Sequence, residues 1–210
     1  MTIQEATAAD RQLQVSPAPG ELETVRAFVN TLDIEEATDA LATRGGLSRW
    51  LAERDLATPA RVSAADLAQA VALREALRGV LRQHAGHPGE PGPPGGTSRR
   101  TGAERGEALP AAAIGAIAAA LPVRLAVDDE GVITAAAAAT GVRGALARLL
   151  LIAAAAAGDG TWSRLKVCTA DDCQWAFYDR SPARNGRWCS MSICGSRAKS
   201  RAYRRRVQAS

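Results

Sequence analysis

The chain has 210 residues, of which 47% are hydrophobic and only 4% are aromatic. This length allows one ordinary domain and a small second one. The longest uninterrupted apolar run, Leu149 to Ala157, has nine residues, whereas a membrane-spanning helix needs about 20. The first residues also lack the apolar stretch of a secretory signal. We therefore expect a soluble, cytoplasmic protein with no membrane partner.

The net charge of +4 is distributed unevenly along the chain. Residues 161–210 contain eleven Lys or Arg and three Asp, a net charge of +8, so the remainder of the chain carries −4. A basic end on an acidic body indicates that this end alone binds a polyanion.

The first part of the chain is predicted to be helical. Polar residues with two prolines and a glycine predict a flexible N-terminus over 1–20. Hydrophobic residues at helical spacing predict helices over 21–32 and 46–54. A longer helix begins at Ser63, whose hydroxyl can cap the helix, with Asp66 three residues on as a partner in a capping box.

A Pro- and Gly-rich stretch over 86–106 interrupts this pattern and predicts a mobile loop. The elements that follow it are, in chain order, a helix at 109–121, two short strands at 122–127 and 131–135, and an apolar helix at 141–157. A Gly-Asp-Gly sequence at 158–160 marks a boundary. The sequence thus predicts a mostly helical domain over 21–160 and a separate module over 161–210.

All four cysteines lie in that module, as two C-x4-C pairs separated by fifteen residues. They are Cys168, Cys173, Cys189 and Cys194. Two pairs that converge on one point suit a tetrahedral, all-thiolate zinc site, and four protein ligands make such a zinc ion structural. The alternatives are two disulfides or four buried thiols, and disulfides are rare in the cytosol. We therefore predict one structural Zn²⁺.

The residues between the cysteines predict a compact zinc finger. Residues 174–178 can form a strand, Asn185-Gly186 is a strong hairpin signal, and residues 187–189 can form the return strand. A helix would then run from Cys194 to Arg206. A knuckle, a hairpin and a helix that carries the last ligand give a treble-clef-like finger, and the whole chain is predicted to be mainly α with a small β-hairpin, in the α+β class.

The C-terminal helix is too basic to be buried and is a candidate surface for phosphate contacts. The alternative is a well-solvated terminal helix whose charge suits the helix dipole. The predicted nucleic-acid-binding residues are Arg184, Arg187, Ser196, Arg197, Lys199, Arg201, Arg204, Arg205 and Arg206.

The stretch from Val167 to Arg206 closely resembles the CGNR zinc finger, a C-terminal module of bacterial transcription regulators. The shared positions are both cysteine pairs, the F-x-D-x-S element with Phe177, Asp179 and Ser181, the run Arg187 to Met191, and the box Cys194 to Lys199. The resemblance implies a DNA-binding zinc finger. Ser196 stands where the motif that names the family has Asn, and we expect Ser to cap the start of the helix.

The N-terminal part resembles the ABATE domain that accompanies this finger, in residues 28–32, 47–51 and 73–77. The resemblance implies a sensing or scaffold domain. Asn30, Thr31 and Arg74 are candidates for lining a small-molecule effector pocket, although such residues also cap helices or form buried hydrogen-bond networks. The sequence contains no catalytic constellation, so we expect no enzyme.

The sequence therefore predicts a DNA-binding transcription regulator whose N-terminal domain senses a ligand or mediates homodimerisation. The alternative is a zinc-stabilised RNA-binding or protein-interaction module, since Trp162, Trp175, Trp188 and Tyr203 could stack on unpaired bases. If the two parts fold separately, replacing Cys168 with Ser unfolds the finger and leaves the N-terminal helices intact. The DNA target, the effector and the oligomeric state stay open.

Overall fold

A computed structural model describes residues 15–86, 110–127 and 129–208. In these ranges the protein consists of helices and three two-stranded antiparallel sheets, which is the predicted α+β class. Residues 87–106 of the predicted loop and residues 1–14 of the predicted flexible N-terminus lie outside the described residues. Val15 and Ala18, from the remainder of that N-terminus, are buried, so this short stretch is anchored to the protein body.

The elements are labelled in chain order. They are α1 (Leu22–Val29), β1 (Leu32–Asp33), β2 (Thr38–Asp39), α2 (Arg44–Glu53), α3 (Ala64–Ala85), α4 (Pro110–Ala119), β3 (Val123–Val127), β4 (Ile133–Ala137), α5 (Gly141–Gly158), a 3-10 turn (Trp162–Arg164), β5 (Leu165–Val167), β6 (Ala176–Tyr178), a π-helical turn (Met191–Gly195) and α6 (Ser196–Gln208).

Side-chain caps set where the first helices begin. The amide of Gly46 donates to the hydroxyl of Thr43 at 3.0 Å ahead of α2. Ser63 and Asp66 form the predicted capping box ahead of α3, and the hydrogen bonds from Ser63 lower the pKa of the Asp66 carboxyl. The first helix is shorter than predicted, because the chain turns at Asn30 and enters β1.

The core lies between α1, α3 and α5. Phe28, Leu77 and Leu146 have no exposed surface and belong to one hydrophobic cluster. Burying each such side chain contributes about 1.5–3 kcal/mol, so this three-helix contact organises the N-terminal domain. The predicted hairpin of β3 and β4 also forms, with Val127 paired to Ile133.

Helix α5 forms as the apolar helix that the sequence predicts. With 18 residues, the helix is long and apolar enough to cross a membrane, judged by length and composition alone. Half of the helix is buried inside the protein, among the core residues of α1 and α3. Burial in that core accounts for the apolar sequence without a membrane.

Strands β5 and β6 share the core of the helical domain, while the four cysteines belong to a second cluster with Trp175 and Phe177. Leu165, Val167 and Ala176, from β5 and β6, have no exposed surface and belong to the same hydrophobic cluster as Phe28 and Leu77. The hairpin that leads into the cysteines is therefore held directly against the N-terminal helices.

Candidate metal centre and basic helix

The four cysteine sulfurs converge on one point. Their Sγ atoms all lie within 4.8 Å of one another, and Cys189 Sγ lies 3.7 Å from Cys173 Sγ and 3.6 Å from Cys194 Sγ. None of the four forms a disulfide, and all are buried. Bonds of about 2.3 Å from a zinc ion to sulfur would place neighbouring sulfurs of a tetrahedron about 3.8 Å apart. The spacing of the four sulfurs therefore fits a tetrahedral metal ion of the size of zinc.

The first cysteine pair lies in the turn between β5 and β6. The Cys168 amide donates to the Trp175 carbonyl at 2.9 Å, and the Cys173 amide donates to the Ala170 carbonyl at 3.0 Å. Gln174 closes this turn with a φ of 52°, a left-handed conformation that tightens the chain. The backbone thus forms a knuckle that points both sulfurs inward.

The second pair lies at the start of the C-terminal helix. Cys189 precedes the π-helical turn, Cys194 lies within it, and the Gly195 amide donates back to the Ser190 carbonyl at 3.0 Å. The turn continues directly into α6. The position of the basic helix is therefore tied to the metal site through Cys194.

The sulfurs perturb one another's ionisation. Hydrogen bonds involving Cys168 and Cys173 raise the pKa of Cys189 and of Cys194, while hydrogen bonds from its neighbours lower the pKa of Cys168. All four can ionise together only when a cation offsets their mutual repulsion. Four sulfurs placed this close together fit a metal ion, which would offset that repulsion.

A buried ion pair shapes the loop between the two cysteine pairs. Lys166 Nζ lies 2.8 Å from Asp179 Oδ2, and both side chains are almost fully buried. The Gly186 amide also donates to Asp179 at 2.7 Å and the Ser181 amide at 3.0 Å. Burial alone would raise the pKa of Asp179, but these donors together lower it to about 2. The carboxylate thus closes the loop that carries Arg184.

The predicted hairpin at Asn185-Gly186 is wrong. In the structure the hairpin is formed by β5 and β6, with Leu165 paired to Tyr178, and residues 187–189 form no strand. Gly186 gives its amide to Asp179, and a Cβ at this position would lie 2.8 Å from the Asp179 carboxylate. Glycine at this position therefore allows the close approach to the Asp179 carboxylate and does not form a hairpin turn.

The N-terminal domain holds the knuckle through polar contacts that sequence reasoning did not identify. Asn30 donates to the Ala176 carbonyl at 3.0 Å and accepts from the Ala176 amide at 2.7 Å. Arg78, which is 3% exposed, donates to the Gln174 carbonyl at 3.0 Å and to the Val29 carbonyl at 2.6 Å. Nothing in the sequence pattern marks Arg78 as buried.

The three predicted pocket residues lie close together but make structural contacts. Arg74 pairs with Asp39 at 2.6 Å and contacts the Thr31 hydroxyl at 3.3 Å, and Asn30 holds β6. Asn30 and Thr31 also line a cleft of about 430 Å³ beside Trp175, whereas Arg74 does not. Their effector-binding role stays a prediction.

Two arginines of the basic helix pair with acids. Arg197 lies 2.7 Å from Glu35 of the N-terminal domain, and this hydrogen bond raises the pKa of Arg197. Arg201 lies 3.2 Å from Asp172 of the knuckle. The other basic residues predicted on this helix are exposed: Lys199, Arg204, Arg205 and Arg206. The inner side of the helix thus binds the protein, and a strongly basic side faces solvent.

The remaining predicted contacts lie near the start of this helix. Ser196 lies inside α6 and does not cap it, because its hydroxyl donates to the Met191 carbonyl at 3.2 Å. Arg184 and Arg187 are exposed, with the Arg187 guanidinium 5.6 Å from the centre of the Trp188 ring.

The aromatic residues offer little surface to unpaired bases. Trp175 is 3% exposed and Tyr203 is 63% exposed, while Trp162 and Trp188 are half-buried. Only Tyr203 of these four presents most of its ring to solvent, which weakens the case for an aromatic stacking platform.

Comparison with known families matches both parts of the chain. The model of the ABATE family, described as "Putative stress-induced transcription regulator", matches residues 22–159, about two thirds of the chain. The model of the CGNR zinc finger matches residues 164–207, which include all four cysteines. Neither description names an enzyme. A comparison with curated proteins found no match. The chain belongs to the ABATE family and carries a CGNR zinc finger at its C-terminal end.

Proposed function

We propose that this protein is a DNA-binding transcription regulator that acts in the cytoplasm. One zinc ion, held by the four cysteines, would fix the basic helix α6 for contact with duplex DNA. The single observation that supports this most is the direct continuation of the Cys194 turn into a helix with an exposed basic side. Four protein ligands leave no open position on the metal, so its role is structural and not catalytic.

The proposed DNA surface differs in detail from the full set of basic residues. We assign phosphate contacts to Lys199, Arg204, Arg205 and Arg206, with Arg184 and Arg187 as a second cluster beside the metal site. Arg197 and Arg201 instead orient the helix through Glu35 and Asp172. Six such cations would give binding a salt slope of about −5 in a log–log plot.

A fluorescence titration of a random-sequence duplex at two salt concentrations tests this proposal. We expect the zinc-loaded protein to bind at low salt, and we expect Arg204→Ala combined with Arg205→Ala to weaken binding and flatten the salt slope by about 2. The matched control is Arg44→Ala with Arg49→Ala, since these arginines are exposed and lie on α2, a different helix. Absence of duplex binding at low salt, with zinc bound, would contradict the proposal.

A further inference from the structure

The β3–β4 hairpin carries an apolar face that no other part of the described chain covers. Val123, Leu125 and Val127 alternate along β3, and Ile133 pairs with Val127 across the sheet, so the four side chains share one face. Between 56% and 75% of each side chain is exposed. We call residues 123–137 the β-arm and these four side chains its apolar face.

An apolar groove adjoins the β-arm. It has a volume of about 490 Å³ and lies between α3, α4 and α5, and no charged residue lines it. Leu77 and Leu121 form its buried floor, while Ile114 and Leu150 are half-buried in its walls. Val123 lines the groove and also belongs to the apolar face, so the two form one continuous surface.

This surface is suited to binding a partner. A two-stranded ribbon is marginally stable in isolation, and its open edges and exposed aliphatic side chains favour association. The largest apolar patch on a monomeric protein covers about 300–600 Å² and is often a functional surface. The partner must itself be apolar, because a charged partner would lose its hydration without gaining an ion pair in this groove.

The undescribed parts of this chain are poorly suited to cover it. Residues 87–109 follow α3 and precede α4, two helices that line the groove, but Leu109 is their only large aliphatic residue. Residues 1–14 contain only Met1, Ile3 and Leu13 as large apolar residues. A second copy of the chain, in contrast, supplies both a complete apolar face and a complete groove.

We propose that two copies associate reciprocally, with the apolar face of each β-arm in the groove of the other. Each aliphatic side chain presents on the order of 100 Å² of apolar surface, so the exposed face offers about 300 Å². When an arm enters a groove, the groove buries about the same area as the arm, so one contact buries about 600 Å². A two-fold symmetric dimer has two such contacts and buries about 1,200 Å² in total. That is the lower limit for a stable, specific interface. The association does not depend on DNA binding.

The molar mass of the zinc-loaded full chain, measured by light scattering across a concentration series, tests this proposal. We expect the wild type to have the mass of two copies and Val127→Asp to have the mass of one. Val207→Asp is the matched control, since Val207 is 58% exposed and lies on α6, and it should remain a dimer. Circular dichroism checks that each variant is folded.

The groove is tested separately with Ala154→Arg, because Ala154 is exposed and lines the groove. This variant should also have the mass of one copy. An equimolar mixture of Val127→Asp and Ala154→Arg should associate more than either alone, since the intact arm of the second fits the intact groove of the first. A wild type that is monomeric at about 100 μM, a dimeric folded Val127→Asp or Ala154→Arg, or a mixture no heavier than its components would each overturn the proposal.

Discussion

At the scale of single residues, the Lys166–Asp179 pair decides how the finger loop closes. The net charge of +8 over residues 161–210 includes Lys166, yet the Lys166 side chain is buried beside a carboxylate. A buried charge that loses its partner destabilises a protein by about 3–5 kcal/mol. The pair therefore contributes to the shape of the loop and not to the basic surface.

We expect Asp179→Asn to lower the free energy of unfolding by about 3 kcal/mol at pH 7, because it leaves the Lys166 ammonium buried and unpaired. Combining it with Lys166→Met should recover part of that loss, since no charge is then buried. Urea unfolding of the zinc-loaded protein measures both variants.

The control for this change is Asp172→Asn, which removes an exposed partner of Arg201. It should alter stability by less than about 1 kcal/mol. If Asp179→Asn proves as mild as this control, the buried pair does not support the loop in the way that the contacts indicate.

The residues of the metal site were predictable because ligand chemistry leaves a pattern in the sequence. Two cysteine pairs at fixed spacing have few uses besides metal binding, and the four sulfurs do converge. The supporting residues left no such pattern. Arg78 is buried because carbonyl oxygens of two separate segments happen to face it, and only the folded chain shows that.

At the scale of elements, helix α6 is oriented by two ion pairs in the turns that follow Cys194. Glu35, from the turn between β1 and β2, binds Arg197, and Asp172 of the knuckle binds Arg201. Both arginines are one turn apart on the same side of the helix. The acids thus compete with any phosphate for these two cations.

If the proposed DNA surface is right, Glu35→Gln should strengthen duplex binding several-fold and steepen the salt slope by about 1, because one more cation becomes available to phosphate. A fluorescence titration at several salt concentrations measures both quantities. The matched control is Glu36→Gln, which removes the same charge from an exposed neighbouring side chain.

Comparing the two variants shows whether Glu35 competes with phosphate for Arg197 or whether DNA binding responds only to the protein's net charge. Equal gains for Glu35→Gln and Glu36→Gln would mean that the net charge alone matters. Weaker binding by Glu35→Gln would mean instead that the Glu35–Arg197 pair is needed to hold the helix in its binding position.

Elements with local signals were predictable, and those set by distant contacts were not. The capping box at Ser63 and Asp66 and the β3–β4 hairpin depend on residues a few positions apart, and both form. The return strand expected at residues 187–189 does not form: the Gly186 amide donates to Asp179, and the Arg187 carbonyl accepts from the Thr169 amide at 3.0 Å. Contacts outside the turn here override a strong local turn preference.

At the scale of the whole molecule, the two family matches meet between residues 159 and 164, but the packing does not divide there. Leu165, Val167 and Ala176 belong to the core of the helical domain, and Asn30 and Arg78 bind the knuckle backbone. The independent folding expected from sequence composition requires few contacts across the boundary. The four cysteines pack in a second cluster with Trp175 and Phe177, which β5 and β6 join to the helical core, and the division into two domains stays a prediction.

Removal of the metal should therefore destabilise the whole chain and not only the finger. Without a cation, the sulfurs take up protons and lose the metal bonds that hold the knuckle closed, which withdraws β5 and β6 from the shared core. Structural zinc supplies several kcal/mol of folding free energy, and each kcal/mol shifts Tm by about 2–4 °C in a chain of this size. We expect chelation, or Cys168→Ser, to lower by at least about 10 °C a single transition seen by both circular dichroism and tryptophan fluorescence. Two separate transitions, with the helical one unmoved by chelation, would show that the helices fold without the finger and that the shared core contributes little.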